Sequence, residues 1–147
     1  GMRELHKTGW MHNRVRMITA SFLVKHLRIH WQEGEKHFRN CLLDFNEANN
    51  VAGWQWVAGS GADAAPYFRI FNPILQGERF DPNGEYVKKW VPELSNIPKE
   101  FIHKPWECNK IVKDFVLGKS YPKPIVNHEA ARNAALEAFK KIKKKTK

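Results

Sequence analysis

The chain has 147 residues, of which 25 are lysine or arginine and 15 are acidic, giving a formal net charge of +10. This length suits a single domain with a hydrophobic core. No apolar run approaches the roughly 20 residues that span a bilayer, so we expect a cytoplasmic protein that makes no membrane contact.

The two cysteines do not form a recognisable site. Cys41 and Cys108 are far apart in the sequence and lack CxxC spacing, and we pair no histidine ligand with either. Cys41 lies in an apolar run and is expected to be buried. We therefore predict neither a metal site nor a redox site, and nothing indicates an oxidising compartment.

Much of the positive charge lies at the C-terminus. Six of the 25 basic residues are lysines between positions 140 and 147, so residues 1–139 retain 19 bases against 15 acids. A basic balance usually indicates nucleic acid or another polyanion. We predict a mildly basic domain over residues 1–139 and a solvated, lysine-rich tail over residues 140–147.

The first strong periodicity predicts a helix over residues 11–29. Apolar side chains recur at intervals of four, three and four from Met11 to Phe22, which defines one helix face. Arg14 and Arg16 point in different directions on that helix. One arginine could face solvent and the other an interior anion, although a solvated basic face is the alternative for both.

A second helix is predicted over residues 33–43, after Trp31, because acids in its first turn suit an N-terminus. Asp44 comes at the end of this helix. The polar segment 45–50 follows, and it could either line a pocket with hydrogen-bonding groups or form an ordinary turn.

The stretch from Trp54 to Pro73 is the most unusual part of the sequence. Trp54 and Trp56 are one residue apart, and a turn of small residues separates them from Tyr67 and Arg69. This order places π surfaces and a cation beside a close backbone approach, which suits a flat, charged ligand. The alternative is that the aromatic side chains only fill the core.

The remaining chain also indicates helices. Asp81 as N-cap and Pro82 as the first helical residue predict a short helix through Trp90. Prolines break residues 92–107 into loops and brief turns, and a last helix is predicted from residue 127 or 128 to about 142. Because no strand alternation is visible, we predict an all-α fold.

Two segments carry a family resemblance. The stretch 54–73 resembles the signature of the DNA photolyase and cryptochrome family, in its FAD-binding helical domain, and residues 9–25 are similar to that family's other strong motif. The likeness begins near residue 3 and corresponds only to the C-terminal portion of such proteins. We expect Met2 to be an internal methionine used as a start and Gly1 to be an expression-tag remnant.

The resemblance implies FAD as the cofactor. The positions of Arg16 and Asp44 then form an ion pair against the isoalloxazine edge, Asn50 faces the redox-active ring nitrogen, and Asn13 also contributes to the cofactor site. At Asn46 the family usually has an aspartate, which puts the local hydrogen bonding in doubt. The antenna chromophore of the family is not expected to bind to this part.

The resemblance also implies an electron-relay role for Trp54 and Trp31, although single tryptophans more often simply pack in a core. The third tryptophan of that relay lies upstream of this sequence.

The resemblance further implies a DNA lesion site. Asn13, Met17 and Trp56 match positions around a flipped-out dinucleotide, where they are the expected catalytic residues, and Arg14, Trp56 and Arg69 are the expected DNA contacts. The residues at positions 13, 17 and 56 look like those of the class I cyclobutane pyrimidine dimer enzymes.

Three functions therefore remain open. The first is a light-driven lyase, a deoxyribodipyrimidine photolyase, which splits cyclobutane pyrimidine dimers in UV-damaged DNA by electron transfer from reduced FAD. The second is a cryptochrome-like light-signalling module, and the third is a truncated, non-enzymatic DNA-binding or interaction module without flavin. We expect the isolated chain to bind FAD weakly or not at all, to be inactive alone, and to self-associate through an exposed docking face.

Overall fold

Helices are the regular structure of residues 1–67 and 69–145, which this computed structural model describes, with side chains through residue 142. Within that part of the chain the α-helices are α1 Met2–Thr8, α2 Asn13–Ser21, α3 Trp31–Cys41, α4 Glu47–Ala58, α5 Pro73–Phe80, α6 Glu85–Trp90 and α7 His128–Lys145. The described residues form no strand, so the predicted all-α class is confirmed. None of these helices is both long and apolar enough to cross a bilayer.

By its internal contacts the chain divides into two compact units. The first comprises Gly1–Phe71 with Val126–Lys147, and the second comprises Asn72–Ile125. The buried core of the first unit is built from α1 to α4 and their connections, and its members are Leu5, Met11, Ala20, Phe38, Leu42, Trp54 and Val57. The second unit has its own buried core of Leu94, Ile97 and Ile102.

The helix predicted over residues 11–29 is shorter than expected and changes type. It begins at Asn13, because the His12 ring nitrogen accepts the backbone N–H of Arg14 at 3.1 Å and caps the helix. From Phe22 to His26 the backbone is π-helical, with the N–H of Leu27 donating to the Phe22 carbonyl at 3.1 Å. This wider turn and the positive φ of 55° at Arg28 end the helix before residue 29.

The second predicted helix, over residues 33–43, is displaced by two residues and becomes α3. The polar segment after it is not an ordinary turn. Asn46 accepts the backbone N–H of Asn49 at 3.0 Å, so it is the N-cap of α4 and residues 47–50 are that helix's first turn. Trp54 and Trp56 therefore lie on a helix, which ends at Gly59 with a left-handed φ of 76°.

The helix expected to start at Pro82 starts three residues later. The Asp81 carboxylate still caps it, since it accepts the backbone N–H groups of Tyr86 at 3.2 Å and Val87 at 3.1 Å. The chain makes an extra turn between cap and helix, because Gly84 adopts a left-handed φ of 69° directly before Glu85.

Besides α4, two further α-helices were not predicted from the sequence. Helix α5 has a readable start, since Pro73 occupies its first turn and Asn72 accepts the N–H of Ile74 at 3.0 Å. Helix α1 has no side-chain cap and gives no such signal.

The last helix, α7, confirms the expected helix and extends it to Lys145. The first part of the predicted 140–147 tail is therefore helical, and residues 146 and 147 lie outside the described residues. The body of α7 packs on the π-helical segment. His26 Nε2 and His128 Nδ1 are 2.8 Å apart, and Tyr67 stacks on Phe139 with ring centroids separated by 4.1 Å.

Candidate cofactor and substrate cavity

One cavity of about 560 Å³ lies in the first unit, between α2, α3, α4 and the α3–α4 connection. Most of the site residues predicted from the sequence line it, and they are Asn13, Arg16, Met17, Asp44, Asn46, Asn50, Trp54 and Trp56. Apolar side chains from α3 and α4 complete the wall. The volume lies within the range of typical small-molecule sites.

Arg16 and Asp44 form the expected ion pair across the cavity. The Arg16 Nη2 atom donates to both carboxylate oxygens of Asp44, at 3.1 and 2.9 Å. The Arg16 Nε–H donates to the backbone carbonyl of Met11, so the main chain before α2 fixes the plane of the guanidinium. The Asp44 side chain is 50% exposed and that of Arg16 is 23% exposed, which means that the pair is partly open to solvent.

Asn50 is held by the buried carboxylate of Glu35, for which the sequence predicted only a place in the first turn of a helix. Its Nδ2 group donates to the backbone carbonyl and to the carboxylate of Glu35, each at 3.1 Å. Both amide protons are therefore used, and the Asn50 Oδ1 atom is left as an acceptor.

Glu35 itself is only 7% exposed and is paired with Arg39, one turn later on α3, at 2.9 Å. Arg39 also reaches Glu47 on α4 at 3.2 Å, and hydrogen bonds to these two carboxylates raise the pKa of its guanidinium. The network joins α3 to α4, and Glu35 connects it to Asn50 in the cavity lining. The Glu35–Arg39 pair has the i, i+4 spacing of a helical ion pair and was readable in the sequence, whereas Glu47 joins it only through the packing of α4 on α3.

Trp54 is buried against α3. Its side chain is 3% exposed and meets the Phe38 ring edge-on, with centroids 5.0 Å apart. The indole lies directly over Gly34, where a Cβ would overlap its ring atoms. An isolated glycine inside a predicted helix was a readable signal of this close approach. Trp31 lies one turn before Gly34 and packs against the same core, although it does not line the cavity.

Trp56, Met17 and Asn13 also belong to the lining. Trp56 is half-buried on α4, so part of its indole is accessible from the cavity. Asn13 and Met17 are one turn apart on α2, with Asn13 Nδ2 at 3.8 Å from the Met17 sulfur. This part of α2 and the two tryptophans of α4 therefore line the same cavity.

Asn46 is the N-cap of α4, which explains why an amide can replace an aspartate at this position. Its Oδ1 atom is committed to the N-cap of α4, and a carboxylate would cap the same N–H group equally well. The substitution therefore leaves the helix start unchanged and adds an amide donor at the cavity wall.

Two expected DNA contacts do not line the cavity. Arg14 lies on α2 next to Asn13 and is half-buried, whereas Arg69 is exposed in the segment that follows α4. That segment is anchored by Lys25, which sequence analysis missed. Lys25 is 1% exposed, donates to the Tyr67 carbonyl at 3.1 Å and lies 3.4 Å from the Tyr67 ring centroid. Burial lowers the pKa of Lys25 to about 8.

The view of Cys41 as a buried residue without histidine partners is wrong. Cys41 is half-buried and lies one helical turn after His37, with Sγ at 3.6 Å from His37 Nε2. The His37-x-x-x-Cys41 spacing was present in the sequence, and the second histidine near it, His6, comes from α1.

Fold and cavity together define an all-α domain whose cavity is lined by an ion pair, asparagine side chains and two tryptophans. The family model described as the FAD binding domain of DNA photolyase matches residues 1–141, and the chain belongs to this family. FAD as the cofactor is thereby confirmed at the level of the family.

Curated relatives agree. The chain is 60% identical over 149 residues to a deoxyribodipyrimidine photo-lyase of Agrobacterium fabrum, covering 99% of this chain and 31% of the relative. It is 52% identical over 143 residues to the enzyme of the same name from Escherichia coli strain K12, covering 97% and 30%. The chain thus spans about a third of the length of these relatives.

Solved structures show the same fold. The chain aligns with a class III photolyase from Agrobacterium tumefaciens at a TM-score of 0.93 and 59% identity, covering 98% of this chain and 30% of that one. It aligns with a Synechocystis cryptochrome at 0.86 and 40% identity, covering 92% and 29%. The comparisons therefore support membership of the family. The class I likeness inferred from residues 13, 17 and 56 is a finer assignment and stays a prediction.

Proposed function

We propose that this chain supplies the flavin-ring side and the lesion side of the active site of a light-driven DNA repair lyase that splits cyclobutane pyrimidine dimers. The observation that carries the proposal is the convergence of an Arg16–Asp44 pair, an Asn50 acceptor and two tryptophans on one cavity. When bound, reduced FAD supplies the electron that light makes available for dimer splitting.

The cavity suits the ring system of a flavin in size and in chemistry. About 560 Å³ accommodates a tricyclic ring, and the lining offers one cation, amide groups and apolar walls. Within the described part of the chain, Arg16 uses Nε and Nη2 on Met11 and Asp44, which leaves Nη1 as a donor for an anionic ring edge. Asn50, whose donors bind Glu35, offers an acceptor to a ring nitrogen that carries hydrogen.

The lesion side would be formed by Trp56, Met17 and Asn13. A half-buried indole and a thioether give an apolar wall for a pyrimidine pair removed from the base stack, and the Asn13 amide can hydrogen-bond its polar edge. These side chains share the cavity with the flavin-binding residues. That proximity supports direct transfer between cofactor and lesion.

Trp54 and Trp31 would carry electrons to the cofactor. Trp54 lines the cavity and packs over Gly34 of α3. Trp31 lies one turn before Gly34 on α3 and packs against the same core. The half-buried Trp31 packs against the core cluster that contains Trp54, which supports a relay between the cavity and α3.

Arg14, Arg69 and the lysines from residue 140 would bind the phosphates of UV-damaged DNA. Arg69 is exposed, and neither arginine lines the cavity, which fits backbone contacts around the site. Binding that rests on such contacts falls steeply with salt.

The second candidate function is light signalling without repair. It is favoured by one observation, the likeness to the Synechocystis cryptochrome at a TM-score of 0.86. Trp56, Met17 and Asn13 at the cavity favour repair instead, since a signalling module needs no wall for a lesion.

A chimera tests repair against signalling. This chain replaces the matching 31% of the Agrobacterium fabrum photo-lyase, and light-dependent loss of cyclobutane dimers from an oligonucleotide is measured. We expect repair by the chimera and at least about fivefold weaker binding of damaged DNA when Trp56 is changed to Ala, because base stacking on an aromatic side chain contributes about 1–3 kcal/mol. A chimera that binds FAD but does not repair would support signalling.

We also infer that the isolated chain self-associates. Trp10, Ile29 and Leu43 of the first unit are exposed by 45%, 40% and 85%. Large apolar side chains exposed to this degree favour contact with another apolar surface. Light scattering across a concentration series tests this, and a strictly monomeric chain at the highest concentration would contradict it.

A further inference from the structure

Three side chains with metal-binding atoms lie together at one end of α1 and α3, outside the cavity. They are His6, His37 and Cys41, and their ligand atoms all lie within 4.8 Å of one another. His6 Nε2 and His37 Nε2 are 2.9 Å apart, and Cys41 Sγ is 3.6 Å from His37 Nε2. His6 is exposed and the other two are half-buried, so an ion has access from solvent.

The backbone holds this cluster in place without an ion. His37 and Cys41 are one turn apart on α3, which puts both on one helix face. His6 is positioned by its neighbour Leu5, which is 1% exposed in the core, and by the end of α1, where the Gly9 carbonyl accepts the N–H of Leu43 at 2.8 Å. The ligands are therefore preorganised by two anchored helices.

We propose that His6, His37 and Cys41 bind one Zn²⁺ ion, with water as the fourth ligand. Two imidazoles and one thiolate are a ligand set that zinc accepts in tetrahedral geometry. A zinc-bound sulfur and nitrogen lie about 3.5 Å apart in that geometry, close to the Cys41–His37 separation. Two zinc-bound nitrogens lie about 3.3 Å apart, so the two rings need to separate by only a few tenths of an ångström.

The bound ion would cross-link α1 to α3. None of the three ligands lines the cavity, but Phe38 and Leu42, which follow His37 and Cys41 on α3, do. Because zinc binds the folded arrangement and not the separated ligands, it stabilises the packing of α1 against the wall of the cavity.

Zinc titration of the isolated chain, in buffer with a phosphine reductant, tests the site. A chromophoric chelator reports the affinity, and Co²⁺ substitution reports a thiolate ligand through its charge-transfer absorption. The variants are His6→Gln, which changes an exposed side chain, and Cys41→Ser. The matched controls are Cys108→Ser, which changes the other cysteine, and His12→Asn, which keeps a capping side chain on α2.

We expect one zinc ion per chain, bound at least tenfold more weakly by both cluster variants and unchanged in both controls. Zinc should raise the unfolding temperature of the unaltered chain and not that of Cys41→Ser, and Mg²⁺ should have no effect because it prefers oxygen ligands. The metal-free unfolding temperature of His6→Gln should match that of the unaltered chain. Equal zinc affinity in all variants, or no binding by the unaltered chain, would overturn the proposal.

Discussion

Gly34 is the residue that lets Trp54 reach the core of the first unit. The indole of Trp54 occupies the space where any other side chain at position 34 would begin, and Leu23 borders the same space. The close packing of α4 on α3, and with it one wall of the cavity, depends on the missing Cβ.

Changing Gly34 to Ala should therefore destabilise the chain, by about 1–3 kcal/mol, because overpacking forces the Trp54 ring to move. Gly53→Ala is the matched control, since Gly53 is also helical but a Cβ there meets nothing within 4 Å. The control should be neutral or stabilising by up to about 1 kcal/mol, as expected for alanine in a helix. Urea unfolding measures both, and equal effects of the two changes would contradict this account of the packing.

Some features of the site were readable at the level of single residues. The Met11 to Phe22 periodicity predicted helix α2, and the Trp54–Trp56 pair indicated a ligand-binding stretch, because both signals are local in sequence. The pair did not predict that its residues lie on helix α4. The roles of Glu35 and Lys25 at the site were not readable, since they come from partners that tertiary packing supplies: Asn50 on α4 and the Tyr67 carbonyl.

At the scale of elements, the π-helical segment and α7 are joined by a histidine pair. His26 is 7% exposed, and its Nε2 atom is 2.8 Å from His128 Nδ1. Burial lowers the pKa of both histidines, and the proximity of His128 lowers that of His26 further. The pair is thus arranged for two neutral rings sharing one hydrogen bond.

Acid should loosen this contact. Above the ordinary histidine pKa of about 6.5 the rings are neutral in the folded and unfolded chains, and the full stability is present. As pH falls below 6.5, the unfolded chain takes up protons first, because the folded pKa values are lowered, and stability is lost. We expect the unfolding temperature to fall between about pH 6.5 and 5, and less so in His128→Gln.

His12→Asn is the control for this measurement, since His12 is an exposed histidine on another element. It should lose stability in acid as the unaltered chain does. If His128→Gln shows the same acid loss as the unaltered chain, the pair is not its source.

The helix boundaries show where sequence patterns stop being informative. Caps that lie next to their helix, such as Asn72 before α5, obey local rules and can be read. Asp81 caps a helix that starts four residues later, and the π turn at Phe22–His26 has no sequence signature that we recognised. In both cases the backbone conformation depends on tertiary packing. Between Asp81 and α6, for example, Gly84 lies so close to Ile102 that a Cβ would overlap that side chain.

At the scale of the whole molecule, the chain spans about 30% of its photo-lyase relatives. The proposed function assigns to it the flavin-ring side of a large ligand. Contacts to the rest of the dinucleotide are worth roughly 1 kcal/mol per hydrogen bond, more where charged. Losing three or four of them weakens binding by at least two to three orders of magnitude. The isolated chain should therefore bind the bare ring and the whole cofactor about equally weakly.

Titration of the isolated chain with lumiflavin, the bare ring, and with FAD tests this most directly, with flavin fluorescence as the readout. We predict weak quenching of both, with dissociation constants near 1 mM or somewhat below and within about tenfold of each other. Arg16→Met should weaken both at least tenfold, because a charged hydrogen bond contributes about 1.5–3 kcal/mol. Arg14→Met, on the same helix but outside the cavity, should change neither. Tight binding of FAD alone, or equal quenching by Arg16→Met and the unaltered chain, would contradict the assignment of this cavity to the flavin ring.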